Sequence, residues 1–353
     1  MKKIRLGEAV LLFLSIVLIY AILKKPDIAI GYMRSGLNLC AQRVIPSLFP
    51  FAVLSSLFVD MGGAELTGRV VGGFVSKLFG ISRAAAFVPV AGMLCGFPVG
   101  AIAAVKLYRR GQIREKELQR LLIISGIPGS AFLVSAVGIS MWSSHAFGAA
   151  LYFIQIITSV LIGMTLNLLS PLNPTIAPPP TAEARKNAVA LFCDSVGDCA
   201  NSMLKICGFV VFFSSSVGTL CSLLEDMGIS PLFKIPVMGF FEMTGAVALA
   251  PQLGTAGAVL TALFVGWAGL SVHFQILSVC RGIPLSTRSY FLSKAIQGVL
   301  SALLAYIYIR FFGLEFSSPS APVLVSVNTD VGLFVSGVFC LSLLLPRLGK
   351  KFL

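Results

Sequence analysis

The stretch GFFEMTGA, residues 239–246, sets a carboxylate between two glycines in a segment, Ile235 to Leu253, that carries no other charge. An ionised carboxylate in an apolar medium costs several kcal/mol unless it faces a cavity or a partner, and charges inside membrane segments usually serve function. Glu242 is therefore a candidate proton or cation site, or an acceptor for a solute hydroxyl. A carboxylate at the water interface of a shallow hairpin is the simpler alternative. Thr244 and Gly245 beside it supply a hydroxyl and a place for close backbone approach.

Three further motifs interrupt apolar runs. In GFPVGA, residues 96–101, Gly96, Phe97, Pro98 and Gly100 read either as a helix kink or as a hairpin tip that presents backbone groups to a ligand. Ser125, Gly126, Pro128 and Gly129 break the run 118–141, and Gly266, Gly269, Ser271, His273 and Gln275 break the run 256–279. Tight helix packing explains the glycines equally well. The polar side chains are harder to place against lipid. His273, one of 2 histidines, either faces a cavity or is packed and hydrogen-bonded to nearby backbone. His145, in the short segment SSHA, reads as solvated. Ser214, Ser215 and Ser216 either line a path or bond back to helix carbonyls. Asp194, Asp198 and Asn201 form the polar face of an amphipathic segment along the interface. No Ser/His/Asp triad, H-E-x-x-H or P-loop is present, so hydrolysis of ATP or peptide has no support. The reading is a non-enzyme without cofactor or metal site, with which a coupling proton or sodium ion at Glu242 is compatible.

The elements that position these residues follow from composition. With 57% hydrophobic residues, 12% charged residues and a mean hydropathy of +0.93, the 353-residue chain cannot cover a soluble surface and is an integral membrane protein. The net charge of +13 sits in short loops between apolar runs, with no Lys/Arg-rich face interleaved with aromatics, so it reads as topology signal and not as nucleic-acid affinity. The 8 cysteines include no C-x-x-C pair and are taken as small packing residues. The basic flank and apolar run at 1–23 resemble an export signal, but Lys24, Lys25 and Pro26 follow where a small-residue cleavage site belongs, which predicts an uncleaved first span.

Apolar runs near 6–23, 46–62, 118–141, 146–170, 204–221, 256–279, 291–314 and 330–346 predict an all-α polytopic protein of about eight transmembrane helices. The Gly/Pro-interrupted stretches 84–106 and 235–255 are read as re-entrant hairpins. With no net crossing at either hairpin and both termini cytoplasmic, 21 of the 27 Lys and Arg residues, Lys294 among them, fall inside and 6 outside. The order amphipathic segment, short span, hairpin, span, span occurs twice with opposite orientation. The expected organisation is an anchor span at 1–27, a first repeat at 28–170, a proline-rich linker at 171–187, a second, inverted repeat at 188–314 and a last span in 315–353. GFPVGA pairs with FEMTGA, and SGIPGS with GWAGLS. Inverted repeats with interrupted segments in corresponding positions point to a transporter site near the midplane, where the hairpin tips would approach each other from opposite faces. The expected partners are a small-molecule substrate and the lipid bilayer, with no nucleic acid; self-association is compatible with this class.

The segments SGLNLCAQRVIPSLFPFAVLSSLF (35–58), GFPVGA, SGIPGS (125–130) and GFFEMTGA resemble those of the YlbJ-type sporulation integral membrane proteins. That family belongs to the nucleoside-recognition or Gate domain group, with the spore maturation proteins and, more remotely, the concentrative nucleoside transporters. The likeness covers roughly residues 30–310. Related hairpins often read G-Y-P-M-G-A and end the second motif in Gly-Gly; Phe97, Val99 and Ala246 depart conservatively. The resemblance implies a multi-pass protein of a spore former that moves dipicolinic acid across the outer forespore membrane. A cation-coupled nucleoside transporter, to which Glu242 would offer a hydroxyl acceptor, and a non-transporting scaffold for spore envelope assembly are the alternatives.

Overall fold

The computed structural model describes residues 6–172, 187–228 and 234–312, with 314 and 316. The span expected at 330–346 and nearly all of the linker lie outside the described residues. Among those described, every regular element is helical: α1 Leu6–Lys24, α2 Pro26–Leu39, α3 Ile45–Asp60, α4 Gly63–Val70, α5 Gly72–Phe79, α6 Phe87–Cys95, α7 Phe97–Arg109, α8 Glu115–Ile124, α9 His145–Leu169, α10 Ala188–Asp226, α11 Lys234–Phe241, α12 Met243–Leu249, α13 Gly254–Trp267, α14 Gly269–Val279 and α15 Thr287–Phe312. Four stretches, within α9, α10, α12–α14 and α15, are long and apolar enough to cross a membrane. A fifth arises if the bent pair Gly72–Phe79 and Arg83–Cys95, which meet at 96°, is one span.

The amphipathic segments do not stand apart from the short spans that follow them. The second runs unbroken into its span as the 39-residue α10. The first passes from α2 into α3 through a π-helical turn, Cys40–Val44. Pro46 lies in the first turn of α3, and a π turn is a cheap way to absorb the backbone donor that proline lacks.

The long helices are polar within and apolar without. On α9, Gln155, Thr158 and Ser159 are buried, while Phe153, Ile157, Leu161 and Leu168 are exposed. On α15, Lys294, Gln297 and Ser301 are buried, while Leu303, Tyr306, Ile307 and Phe311 are exposed. In water this arrangement would be costly. In lipid it is the stable one, because bilayer hydrocarbon solvates Leu and Phe but not Gln or Lys.

The chain divides into two compact units that follow contacts and not chain order. One comprises the described residues of Met1–Cys40, Cys207–Ser271 and Ser286–Leu353. Here α2 lies antiparallel to the second part of α10. Ser215 Oγ donates to the Ala29 carbonyl at 3.2 Å, and Lys25 pairs with Asp226 at 2.6 Å. The packing of α13 on α15 runs through Gly266 and Gly298, where a Cβ on Gly266 would stand 2.8 Å from the Gly298 Cα.

The other unit comprises Ala41–Ile206 and Val272–Leu285. Its core draws Ala52 and Val53 of α3, Ala91 of α6, Val99 of α7 and Cys199 of α10 together. Arg120, 5% exposed, clips two helix ends: its guanidinium donates to the carbonyls of Phe79 at 2.9 Å and Leu166 at 3.2 Å, and to that of Ser170. The Phe79 carbonyl is one that α5 leaves without an intrahelical partner, while the Leu166 carbonyl also accepts the Ser170 amide at 3.0 Å. Asp60 accepts from Lys106, Arg110 and Ser195 at the ends of α3 and α7. The 7 described cysteines are free thiols.

Candidate functional site

The first hairpin is built by Gly96. Its φ of 97° lies in the region that favours glycine, and there α6 ends and α7 begins. The chain folds back on itself: a Cβ on Gly100 would stand 3.0 Å from the Gly92 Cα, although eight residues of straight helix would separate them by about 12 Å. Ser125 fills the crook. The same Cβ on Gly100 would meet the Ser125 Cβ at 2.7 Å and Oγ at 2.8 Å, so no larger residue fits. Ser125 is 1% exposed and its hydroxyl donates to the Leu121 carbonyl at 2.7 Å.

The span expected at 118–141 is broken at its predicted place. Regular α-helix stops at Ile124 and resumes as a π-helix at Ala131–Met141. This break meets the hairpin tip: a Cβ on Gly96 would lie 2.6 Å from the Gly129 nitrogen and 3.5 Å from the Pro128 carbonyl carbon. Gly96, Gly100, Ser125 and Pro128 are thus brought together, and Phe97 and Pro98 are buried in the first turn of α7. Ser159 of α9 donates to the carbonyl of Ile124, the last residue before the break, at 2.5 Å.

The second hairpin has the same plan with a different device. The helices α11 and α12 pack against each other across Glu242, which is 4% exposed with φ −143° and ψ 107°. Its carboxylate caps α12: Oε1 accepts from the Thr244 amide at 2.9 Å and Oε2 from the Gly245 amide at 2.8 Å. Both donors are among the four that a helix N-terminus leaves unpaired, and the negative charge suits the positive end of the dipole. Thr244 and Gly245 join the site through their backbone.

This tip too meets a break in the next span. Between α13 and α14, Ala268 adopts φ 74° and Gly269 φ 75°. The left-handed conformation costs an alanine about 1–2 kcal/mol, so the turn is held by its surroundings. A Cβ on Gly269 would stand 3.2 Å from the Phe241 carbonyl oxygen and 3.4 Å from the Glu242 Cα. The indole Nε1 of Trp267 donates to the Phe240 carbonyl at 3.0 Å, and the two rings stack 5.6 Å apart. Ser271, 2% exposed, follows the turn on α14. His273 and Gln275, at 0% and 7% exposure, are buried further along the same helix.

The predicted residues therefore form two assemblies, Gly96, Gly100, Ser125 and Pro128 in one unit and Glu242, Thr244 and Gly245 in the other. Each joins a hairpin tip to a broken span. Interrupted backbone takes amide and carbonyl groups out of the helical ladder, which within a membrane is tolerated only where protein buries it or water reaches it. His145 is exposed, as are Asp194, Asp198 and Asn201.

Sequence reasoning missed the polar stripe on α15. It counted Lys294 among the inside charges near the start of the run 291–314, but the side chain is 1% exposed, seven residues inside a membrane-crossing helix, and its Nζ donates to Gln297 Oε1 at 2.8 Å. The spacing of Lys294, Gln297 and Ser301, three then four residues apart, was the available signal. Gln155, Thr158 and Ser159 on α9 form a comparable stripe.

No family model and no solved structure matches the chain. It is 22% identical over 344 residues to the sporulation integral membrane protein YlbJ of Bacillus subtilis (strain 168), a match that spans 88% of this chain and 84% of that protein. Similarity along most of both chains, with long helices that turn apolar residues outward, makes this a multi-pass membrane protein similar to that sporulation protein.

Proposed function

We propose that the protein is a transporter that moves a small polar molecule by alternating access, and that its cargo is dipicolinic acid crossing the outer forespore membrane during sporulation. The observation that carries this reading is the break-on-break packing. In each unit a helical hairpin tip closes on the interruption of the next span. A transporter uses such interruptions to present backbone donors and half-helix dipoles to a solute near the midplane, with the two halves related as inverted repeats. A scaffold needs only regular helices and has no use for a strained alanine in a membrane-crossing segment.

The cargo rests on kinship with a sporulation protein and on chemistry. A small dicarboxylate can be held by helix N-termini and backbone amides. The nucleoside alternative needs Glu242 as a hydroxyl acceptor; each of its oxygens takes one backbone amide and keeps a second lone pair, so the assay decides between the two cargoes. The test is uptake of labelled dipicolinate and of labelled nucleosides into proteoliposomes holding the purified protein. Dipicolinate uptake above protein-free vesicles supports the proposal. Nucleoside uptake alone would replace the cargo, and uptake of neither would return the scaffold reading.

A further inference from the structure

Helices α4 and α5 have 8 residues each, a length of about 12 Å, and neither can cross a bilayer. Nor does α5 point along the membrane normal. It meets the stretch Arg83–Cys95, the first arm of the first hairpin, at 96°, so where that arm enters the membrane α5 runs along the surface. Its depth follows from what holds it. Asn167 Nδ2, in the last turn of the membrane-crossing α9, donates to the carbonyls of Lys77 at 3.0 Å and Leu78 at 3.3 Å, and Arg120 ties Phe79 to the same end of α9. The pair therefore lies level with the point where α9 leaves the bilayer.

The two faces of the pair differ. Inward, a Cβ on Gly68 would stand 2.6 Å from the Arg83 carbonyl oxygen and one on Gly72 would stand 3.1 Å from the Arg83 Cβ, while Val75 and Phe79 are buried. Outward, Leu66, Val70 and Phe74 are exposed, the last two at 77% and 71%, and so are Arg69, Lys77 and Arg83. Lys77 follows Phe74 by three residues and shares its side of α5, Arg69 adjoins Val70, and Arg83 sits against both helices. The lipid-facing side of α9 makes the comparison. From His145 to Leu169 that helix exposes Phe153, Ile157, Leu161 and Leu168 and has no Lys, Arg, Asp or Glu at all. Hydrocarbon takes a face without charge; Phe and Val mixed with Lys and Arg belong at headgroup level, where the apolar groups dip inward and the basic ones reach out.

We propose that the outer face of α4 and α5 is a docking surface for the acidic phospholipids of the leaflet beside it. Charge names the occupant. Residues 61–83 hold three basic residues against one acid, Glu65, and such an excess beside apolar groups draws anionic headgroups in preference to zwitterionic ones. A docked protein would place Lys77 within its footprint, and the core of a protein interface is depleted in lysine. The position gives the contact a consequence. Because α5 leads through Arg83 into α6, a leaflet that holds α5 also holds the base of the first hairpin. This inference stands apart from the transport reading and holds for any cargo.

The test puts a reporter on this face by Phe74→Trp in the full chain, reconstituted in bilayers of phosphatidylglycerol and phosphatidylcholine in equal parts, with bromine on the acyl chains of one lipid or the other. What is read is the emission added to that of the parent chain, whose Trp142 and Trp267 are both buried. Quenching by both lipids is expected, stronger by about twofold or more with brominated phosphatidylglycerol. Neutralising Arg69, Lys77 and Arg83 together as glutamine should bring the two lipids to equality. So should salt at about 1 M, where the screening length falls to about 3 Å. Absence of quenching by either lipid would mean that protein or water covers the face and would overturn the proposal. Equal quenching at low salt, or a phosphatidylglycerol preference that survives the triple substitution, overturns it as well. Should the triple variant fail to fold, the salt series on Phe74→Trp decides, and a preference unmoved by salt is the refuting result.

Discussion

Replacing Glu242 by glutamine is usually a mild change, and in this fold it should not be. The carboxylate gives one oxygen to the Thr244 amide at 2.9 Å and the other to the Gly245 amide at 2.8 Å. A carboxamide has one acceptor oxygen, so one amide must lose its partner and face an NH2 donor. A buried donor left unsatisfied costs about 1–3 kcal/mol. Glu242→Gln should therefore destabilise the protein by about 1–3 kcal/mol, and Glu242→Ala, which strands both amides, by roughly 2–6 kcal/mol. Denaturation in detergent micelles measures this, with a thiol-reactive dye reporting when the buried Cys199, Cys221 and Cys280 become accessible. Glutamine indistinguishable from wild type within ~0.5 kcal/mol would show that the cap does not hold α12, and the account of the tip would fail. A transport defect in either variant should then be judged only at equal folded abundance. If the carboxylate also couples transport, folded Glu242→Gln loses its dependence on the ion or pH gradient.

Gly100→Ala places a methyl 2.7 Å from the Ser125 Cβ and should cost about 1–3 kcal/mol by overpacking, whereas the double variant with Ser125→Gly should recover much of it; additive losses would refute the contact. Arg120→Met leaves the ends of α5 and α9 without their clip and should destabilise by roughly 3–5 kcal/mol in the same dye assay, with Arg120→Lys intermediate because one ammonium cannot span both ends. Single cysteines placed in 108–117 and in 315–328 of a cysteine-free variant should label from opposite sides of the membrane; labelling from one side would end the eight-span topology.

Much of the architecture was legible because the bilayer reads sequence with few rules. A long apolar run must be helix, since no other open structure satisfies its own backbone, and Gly/Pro clusters within such runs must be breaks. The breaks at Gly96, Pro128 and Gly269 lie in clusters that this reasoning marks, and Glu242 stood out as a lone charge, but the sequence left open whether those glycines meant a kink, a hairpin tip or tight packing. Helix continuity was less legible. The amphipathic segments and short spans merge into α10 and into α2–α3 because nothing in the local sequence ends a helix there, and amphipathic patterning marks where burial changes, not where the helix stops.

Only the tertiary structure decided what the polar groups do. Whether Glu242 caps a helix or faces a solute depends on the turn of the backbone at that residue, because the same carboxylate serves either purpose. The place of Lys294 depends on which face of α15 meets α13, and Gly266 and Gly298 settle that by admitting close approach. Sequence fixes how many charges a membrane helix carries. Packing against its neighbours fixes whether each one meets lipid, water or protein, and that determines whether the charge is an expense of topology or the start of a site.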